Sequence, residues 1–150
     1  MHLYNNLSKN ILAWYDNNQR QLPWRVSKNS KNKLYYRLLS EFMLQQTQVK
    51  TVIPYFLTFL NNYPTLKLLS LASESKILKL WEGLGYYRRA RNLLATSKIL
   101  VNEHNSKLPK TLIEIKKLPG IGDYTANALM AFIYDCPTIA IDGNVRRVFS

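Results

Sequence analysis

One carboxylate in the sequence stands apart from the others because its neighbours are apolar. Most of the nine acidic residues lie among lysines or at predicted helix ends, but Glu41 lies between large hydrophobic residues, Leu38, Leu39, Phe42, Met43 and Leu44. Removing a carboxylate from water is costly, and burial raises its pKa so that it keeps its proton near neutral pH. Glu41 therefore has the setting of a general acid.

Two glutamines follow Glu41 at helical spacing. Gln45 and Gln48 lie four and seven positions further on, so a helix that continued through them would carry all three polar side chains on one face. Such a stripe could line a substrate pocket, or it could be the solvated face of a surface helix. The spacing alone does not decide between the two.

A second candidate carboxylate, Asp142, follows an extended apolar connection over residues 137–141. It precedes Gly143 and Asn144 at the start of a predicted helix, where an aspartate commonly accepts backbone N–H hydrogen bonds as an N-cap. The same carboxylate could also stabilise a positive charge that develops on a substrate. The spacing in sequence gives no means of pairing Asp142 with Glu41.

A glycine-rich hairpin, Leu118-Pro119-Gly120-Ile121-Gly122, joins two predicted helices within residues 111–134. The glycines permit a tight turn, and the second helix begins with free backbone N–H groups and a partial positive charge that can hold a phosphate. Such a backbone contact binds DNA without reading its sequence. An ordinary helical hairpin is the alternative, but the Tyr-Thr-Ala start of the second helix favours DNA binding.

The overall charge points in the same direction. A formal charge of +12 and a pI near 9.9 favour a polyanionic partner, most simply nucleic acid. A solvated basic surface is the alternative, and an anionic membrane is disfavoured because the basic residues do not gather on one amphipathic helix. No apolar run can cross a bilayer, and residues 1–14 lack the pattern of a secretory leader. We therefore expect a soluble, intracellular monomer.

Metal binding is not expected from the composition. The sequence contains one cysteine, Cys136, and two histidines, His2 and His104. These are too few for a site of thiolate and imidazole ligands, which usually takes four donors. A lone cysteine is most simply a small buried hydrophobic residue.

Helical periodicity runs through the chain, so we predict an all-α fold in one domain over residues 1–150. Leu3, Leu7, Ile11, Leu12 and Tyr15 predict an amphipathic first helix that ends near residues 17–19, and residues 27–33 predict a polar loop. Ser73 is the predicted N-cap of a helix that runs to Trp81, where Gly83 and Gly85 interrupt the pattern. The other predicted helices cover residues 34–48, 49–60, 86–103, 111–117 and 123–134, with a last one after Asp142.

Together these segments resemble the MutY family of adenine DNA glycosylases, which belongs to the helix–hairpin–helix superfamily. The matching stretches occur in family order over nearly the whole chain: LPWR at 22–25, SEFMLQQTQV at 40–49, TVIPYF at 51–56, GLGYY at 83–87, ARNL at 90–93, LPGIG at 118–122 and DGNV at 142–145. One stretch alone would be weak. The combination of MLQQTQV, GLGYY and DGNV is highly specific.

The resemblance implies a base excision repair enzyme. Members of this family bind double-stranded DNA that contains adenine mispaired with 8-oxoguanine or guanine, flip the adenine out of the stack and hydrolyse its N-glycosidic bond. Glu41 matches the family's acid, which protonates adenine at N7 and then serves the attacking water. Asp142 matches the carboxylate that stabilises the oxocarbenium-like sugar or bonds to it transiently, a division of labour like that in O-glycosidases.

Further residues match other parts of the family's site. Tyr124 and Asn144 match positions beside the catalytic aspartate. The adenine pocket is matched by Arg20, Trp24, Arg25 and Leu44. The residues that enter the base stack or contact the opposite base are matched by Gln46, Thr47, Leu84 and Tyr86. The DNA phosphate contacts of the hairpin fall on Leu118, Gly120, Ile121 and Gly122.

Tyr124 also separates two activities within the superfamily. The related endonuclease III enzymes carry a lysine at this place, whose amine forms a Schiff base in a lyase reaction. Because tyrosine offers no amine, the resemblance implies a hydrolase without a strong lyase step. A lyase that acts on pyrimidine lesions is disfavoured.

Two features of the family are missing from this sequence. The family's iron–sulfur cluster is held by four cysteines beyond the catalytic aspartate, and both that region and the C-terminal domain that helps to read 8-oxoguanine are absent here. We therefore expect this chain to bind no cofactor, to be incomplete at its C-terminus, where the last helix stops at Ser150, and to excise adenine poorly. A non-catalytic DNA-binding remnant is the alternative to an active enzyme. A cytoplasmic, nucleoid-associated location is expected in a bacterium.

Overall fold

The computed structural model describes the backbone of residues 2–150 and the side chains of residues 6–150. Within that range the secondary structure is helical without a strand, which confirms the predicted all-α class. Met1 and the side chain of Leu3, both included in the predictions above, lie outside the described part. The helices are α1 (His2–Asn18), α2 (Lys33–Leu44), α3 (Val49–Asn62), α4 (Leu66–Ser70), α5 (Glu74–Trp81), α6 (Arg88–Glu103), α7 (Leu112–Ile115), α8 (Asp123–Tyr134) and α9 (Gly143–Phe149).

The centre of the hydrophobic core is α2, which packs against α3, α6 and α8. Its side chains at Leu38, Leu39, Phe42 and Met43 are completely buried. Each such side chain contributes roughly 1.5–3 kcal/mol on burial, so together they can hold one partly desolvated carboxyl among them. The apolar run around Glu41 is therefore the core-facing surface of α2.

The helix predicted over residues 34–48 is shorter than expected, and this part of the prediction was wrong. α2 ends at Leu44, Gln45 leaves the helical conformation, and Gln46 has a left-handed backbone with φ of +58°. Hydrogen bonds from a distant side chain, Arg89, take the carbonyl groups at this end of the helix. Gln45 and Gln48 therefore do not share a helix face with Glu41.

Two glycines interrupt the chain between α5 and α6, as predicted. Gly83 and Gly85 have φ of +91° and +76°, which glycine adopts without steric cost. Tyr86 follows with φ of +48°, so α6 begins at Arg88 rather than at residue 86. Ser73 does precede α5, but its side chain makes no capping hydrogen bond to that helix.

Two short helices differ from the predictions. α4 was not predicted, because five residues are too few for a periodic pattern; Thr65 caps it by accepting a hydrogen bond from the Leu68 N–H (3.2 Å). α7 covers only part of residues 111–117. It begins after Thr111, which caps it by accepting a hydrogen bond from the Glu114 N–H (3.3 Å). α7 packs against α8, so the two helices form a hairpin within residues 111–134.

The helices near the two ends of the described chain are exposed. In α1 the apolar side chains of Leu7, Ile11 and Leu12 lie open to solvent, as do Val148 and Phe149 in α9. No helix within residues 2–150 is both long enough and apolar enough to cross a membrane. The packed hydrophobic unit therefore consists of α2 to α8.

Candidate active site

A cavity of about 670 Å³ opens beside Glu41, where the end of α2 meets the starts of α8 and α9. This volume is within the range of small-molecule sites. Glu41 and Asp142, which are 101 positions apart in the chain, both line this cavity, and sequence spacing could not predict this. Eight of the predicted site residues line the cavity: Glu41, Tyr124, Asp142, Asn144, Arg20, Leu44, Gln46 and Thr47.

Glu41 is the buried carboxyl of this cavity. Its side chain is only 8% exposed, so the alternative of a solvated surface stripe does not hold for it. Burial raises the pKa of Glu41, and the Arg37 guanidinium, with Nη1 4.0 Å from Oε1, opposes that rise in part. Since burial is the larger effect, the group favours its protonated form more than an ordinary glutamate does.

Asp142 has the opposite environment. Its Oδ1 accepts a hydrogen bond from the Val145 N–H (2.8 Å) in the first turn of α9, and Oδ2 accepts one from the Asn144 amide (3.4 Å). These bonds, the one from Val145 first, lower the pKa of Asp142. The predicted N-cap is thus present, and it keeps the carboxylate ionised at the edge of the cavity.

The two carboxyl groups therefore face one cavity with pKa values displaced in opposite directions. That division is the usual sign of an acid paired with an anionic partner. Tyr124 lies with them, and its pKa is raised by burial and by the charges of Glu41 and Asp142. Its hydroxyl consequently keeps its proton and can donate a hydrogen bond.

Two residues matched to the adenine pocket lie elsewhere. Trp24 does not line the cavity of Glu41: it is buried in the core, edge-to-face against Phe56 with ring centroids 5.2 Å apart. Arg25 is exposed and donates from Nη1 to the Arg20 carbonyl (2.9 Å). The large apolar surface of a tryptophan ring explains the first difference, because core packing outweighs exposure at a pocket wall.

The residues matched to base-stack and opposite-base contacts divide between two cavities. Gln46 lines the cavity of Glu41 and also a neighbouring cavity of about 650 Å³. Tyr86 lines this second cavity. Tyr86 is 62% exposed, whereas Leu84 is buried and lines neither cavity. Gln45 and Gln46 line both cavities and therefore lie at the boundary between them.

The hairpin offers fewer free backbone donors than its sequence suggested. The side chains of Leu118 and Ile121 are buried, and their N–H groups donate to the carbonyls of Ile115 (3.1 Å) and Leu118 (3.2 Å). Within residues 2–150 the N–H groups of Gly120 and Gly122 have no such partner. A phosphate at this hairpin would therefore meet the two glycines and the first turn of α8.

Two arginines that sequence reasoning did not single out contribute to the site. Arg37 lies one helical turn before Glu41, and its guanidinium covers the Phe132 ring at 3.4 Å from the centroid; the spacing of four residues could have indicated it. Arg89 lies in the first turn of α6 and is only 6% exposed. Its partners are distant in sequence, so no local pattern could have identified it.

The iron–sulfur cluster that the resemblance implies does not fit the residues of this chain. A cubane cluster needs four thiolates, and the sequence has only Cys136, which is half-buried. No group of three or more metal-binding side chains occurs in the described part of the chain. The chemistry of the cavity must therefore be considered from its own side chains.

Comparison with known proteins agrees with the resemblance. Residues 39–150 match the model of the family described as HhH-GPD superfamily base excision DNA repair protein. An adenine DNA glycosylase of Buchnera aphidicola subsp. Baizongia pistaciae (strain Bp) is 47% identical over 139 residues, covering 92% of this chain and 38% of the relative. The Mus musculus adenine DNA glycosylase is 42% identical over 144 residues, covering 93% and 28%. The chain thus spans about a third of the length of these relatives.

Solved structures share the fold. A thermostable thymine-DNA glycosylase matches with a TM-score of 0.82 at 24% identity, covering 97% of this chain and 65% of that one. A non-covalent endonuclease III–DNA complex matches with a TM-score of 0.73 at 23% identity, covering 83% and 59%. At these identities the likeness establishes the fold alone. Since the family model covers most of the chain, including Glu41, the hairpin and Asp142, the chain belongs to the HhH-GPD superfamily of base excision DNA repair proteins.

Proposed function

We propose that this chain carries the catalytic pocket of a DNA N-glycosylase that removes adenine mispaired with 8-oxoguanine or guanine. The observation that carries the proposal is the pairing of a buried, protonatable Glu41 with an ionised Asp142 in one cavity. The choice of adenine rests on the names of the relatives and on the MLQQTQV, GLGYY and DGNV stretches.

The two carboxyl groups have distinct tasks in this proposal. Adenine leaves poorly as an anion, so Glu41 gives its proton to N7 of the flipped base while the bond between N9 and the sugar carbon C1′ breaks. The electrons of that bond go to the neutral adenine, and C1′ is left as an oxocarbenium ion. The Asp142 carboxylate stabilises this cation, as carboxylates do in glycoside hydrolysis.

Hydrolysis is completed by water. The Glu41 carboxylate, now without its proton, accepts a proton from a water molecule as its oxygen attacks C1′, which restores the acid and leaves an abasic site. Tyr124 holds its hydroxyl proton beside the same cavity and can donate a hydrogen bond to the ionised Asp142 or to the substrate. None of the predicted site residues is a lysine, so none of them can form a Schiff base with the sugar.

Duplex DNA is the proposed partner. The formal charge of +12 supports electrostatic binding to phosphates, and the free N–H groups of Gly120 and Gly122 offer a backbone contact at the start of α8. The proposed site of action is intracellular, which in a bacterium would be the cytoplasm. Short duplexes with and without the mispair are the probes for this partner.

The test is a single-turnover excision assay with the protein in excess over a duplex that contains adenine opposite 8-oxoguanine. We expect slow release of free adenine, detected by chromatography, and strand cleavage only after alkali is added. The matched control duplex carries cytosine in place of the adenine and should release no base.

Two results would contradict the proposal. Stable duplex binding without adenine release would make the chain a DNA-binding protein without glycosylase activity. Strand cleavage without alkali, together with trapping of the protein on DNA by borohydride, would instead show a lyase.

A further inference from the structure

The side chain of Arg89 connects two segments that are far apart in the sequence. From the first turn of α6, Nη1 donates to the carbonyls of Phe42 (3.3 Å), Met43 (2.7 Å) and Gln45. Nη2 donates to the carbonyls of Leu84 (3.3 Å) and Gly85 (3.1 Å). One guanidinium therefore holds both the end of α2 and the loop that precedes α6.

The carbonyls at the end of α2 need such a donor. The last turn of a helix has no intrahelical partners for its carbonyl groups, and a cation at that end is favoured by the helix dipole. The planar fork of arginine can bond two separate sets of carbonyls, whereas the single ammonium of lysine cannot reach both. Trp81 supports the second segment, since its indole N–H donates to the Gly85 carbonyl (3.0 Å).

Each held segment leads directly into a residue with a left-handed backbone. Gln46, which follows Gln45, has φ of +58°, and Tyr86, which follows Gly85, has φ of +48°. Such conformations are costly for residues other than glycine and persist only where the surroundings impose them. Arg89 donates hydrogen bonds to the carbonyls of Gln45 and Gly85, which immediately precede Gln46 and Tyr86. These hydrogen bonds can therefore hold both residues in the left-handed conformation.

The two left-handed residues face one cavity. Gln46 and Tyr86 both line the cavity of about 650 Å³ next to the one that contains Glu41. The Arg89 guanidinium lies 5.4 Å from the centroids of both the Tyr86 and the Trp81 rings. The buried arginine is thus itself part of the wall of this cavity, next to both left-handed residues.

We propose that Arg89 is a positioning residue that fixes Gln46 and Tyr86 relative to each other before DNA binds. The effect on DNA rests on the proposed function, together with the family resemblance, which implies that these two side chains contact the bases. The hydrogen bonds of the Arg89 guanidinium all go to backbone carbonyls of the chain, so its proposed role is to position its neighbours. Its contribution is a pre-formed cavity wall, which spares the protein the ordering of two loops on binding.

The first test measures backbone order in the unaltered chain. We expect the amides of Gln46 and Tyr86 to have NMR order parameters of about 0.85, the value of rigid backbone, in the absence of DNA. Values below about 0.6, typical of flexible loops, would overturn the proposal. This measurement needs no variant, so it decides even if changes at Arg89 prevent folding.

The second test uses Arg89→Lys, with Arg91→Lys as the matched control. Arg91 lies on the same helix but is exposed, and its partner is Glu74 (Nε to Oε1, 2.8 Å). We expect Arg89→Lys to shift or broaden the signals of the Gln46 amide, the Tyr86 amide and the Trp81 indole, and Arg91→Lys to leave them in place. Unchanged signals in Arg89→Lys would contradict the proposal.

A thermal-melting cycle separates positioning from simple capping of α2. Gln46→Gly should raise the melting temperature more, or lower it less, in the original chain than in the Arg89→Lys background. The reason is that the left-handed backbone at residue 46 is strained only while Arg89 imposes it. An equal change in both backgrounds would show that Arg89 merely caps the helix.

Binding to duplexes with and without the mispair tests the functional consequence. We expect Arg89→Lys to reduce the preference for the adenine·8-oxoguanine duplex on the order of 10- to 100-fold, the scale on which small misplacements act. If the original chain shows no preference at all, the proposed function fails while the NMR signals still decide the positioning. A preference that Arg89→Lys leaves unchanged would overturn its link to DNA recognition.

Discussion

Replacing Glu41 by glutamine is expected to lower the rate of adenine excision by about 10²–10⁴-fold, the usual contribution of a general acid or base. Glutamine has nearly the same size and can still form hydrogen bonds, but it has no proton to give to the leaving base. Asp142 and the hairpin are untouched, so the affinity for the duplex should stay nearly the same. The measurement is the single-turnover rate on the adenine·8-oxoguanine duplex, with the dissociation constant determined on the same samples.

The matched control is Glu103→Gln at the end of α6. Glu103 is exposed and does not line the cavity, so the same glutamate-to-glutamine exchange is made there without affecting the proposed acid. We expect its excision rate to equal that of the original chain. Glu41→Gln that retained the original rate would exclude Glu41 as the proton donor.

Replacing Gly120 by alanine is expected to destabilise the protein by about 2–5 kcal/mol. Gly120 has φ of +77°, and an added Cβ would lie 2.7 Å from the Asn92 side-chain nitrogen and 2.8 Å from the Phe42 ring. The backbone contributes roughly 1–2 kcal/mol of this cost, and the overpacking about 1–3 kcal/mol. Since folded domains are stable by only about 5–15 kcal/mol, the hairpin and its binding to DNA should be severely weakened.

Two other glycines provide graded controls for this prediction. Gly85 has φ of +76° but open space around it, and Gly143 has neither a positive φ nor a close neighbour. We therefore expect Gly85→Ala to cost about 1–2 kcal/mol and Gly143→Ala to change stability by less than about 0.5 kcal/mol. Urea unfolding followed by circular dichroism measures all three, and equal effects of Gly120→Ala and Gly143→Ala would refute the steric argument.

The fold class was predictable because local rules decide it. Helical periodicity, the glycine pair at residues 83 and 85, and the hairpin at residues 118–122 act within a few positions, and the described chain agrees with each of them. The end of α2 was not predictable in this way. Its carbonyl partners come from Arg89, 44 residues beyond Gln45, and the sequence around Leu44 contains no glycine or proline that would indicate a break.

The candidate site shows the same division between local and long-range information. Glu41 could be identified from its apolar neighbours, and Asp142 from its place at a helix start, but only packing brings them to one cavity. Trp24 shows the opposite case. Its motif placed it in the adenine pocket, whereas the size of its ring places it in the core beside Phe56. The LPWR motif at residues 22–25 therefore identified Trp24 as a family match, but it did not indicate that the ring is buried in the core.

Glu41 is expected to keep its proton to a higher pH than an ordinary glutamate does. Titration of the chain labelled with ¹³C at the glutamate carboxyls measures this directly, with Glu41→Gln assigning the signal. Because burial outweighs the opposing charge of Arg37, we predict that the pKa of Glu41 lies above the ordinary value of 4.5. A group with a raised pKa is fully protonated below its ordinary range and loses its proton only as the pH rises through the raised value. A Glu41 signal that titrates at or below 4.5 would contradict its role as the acid.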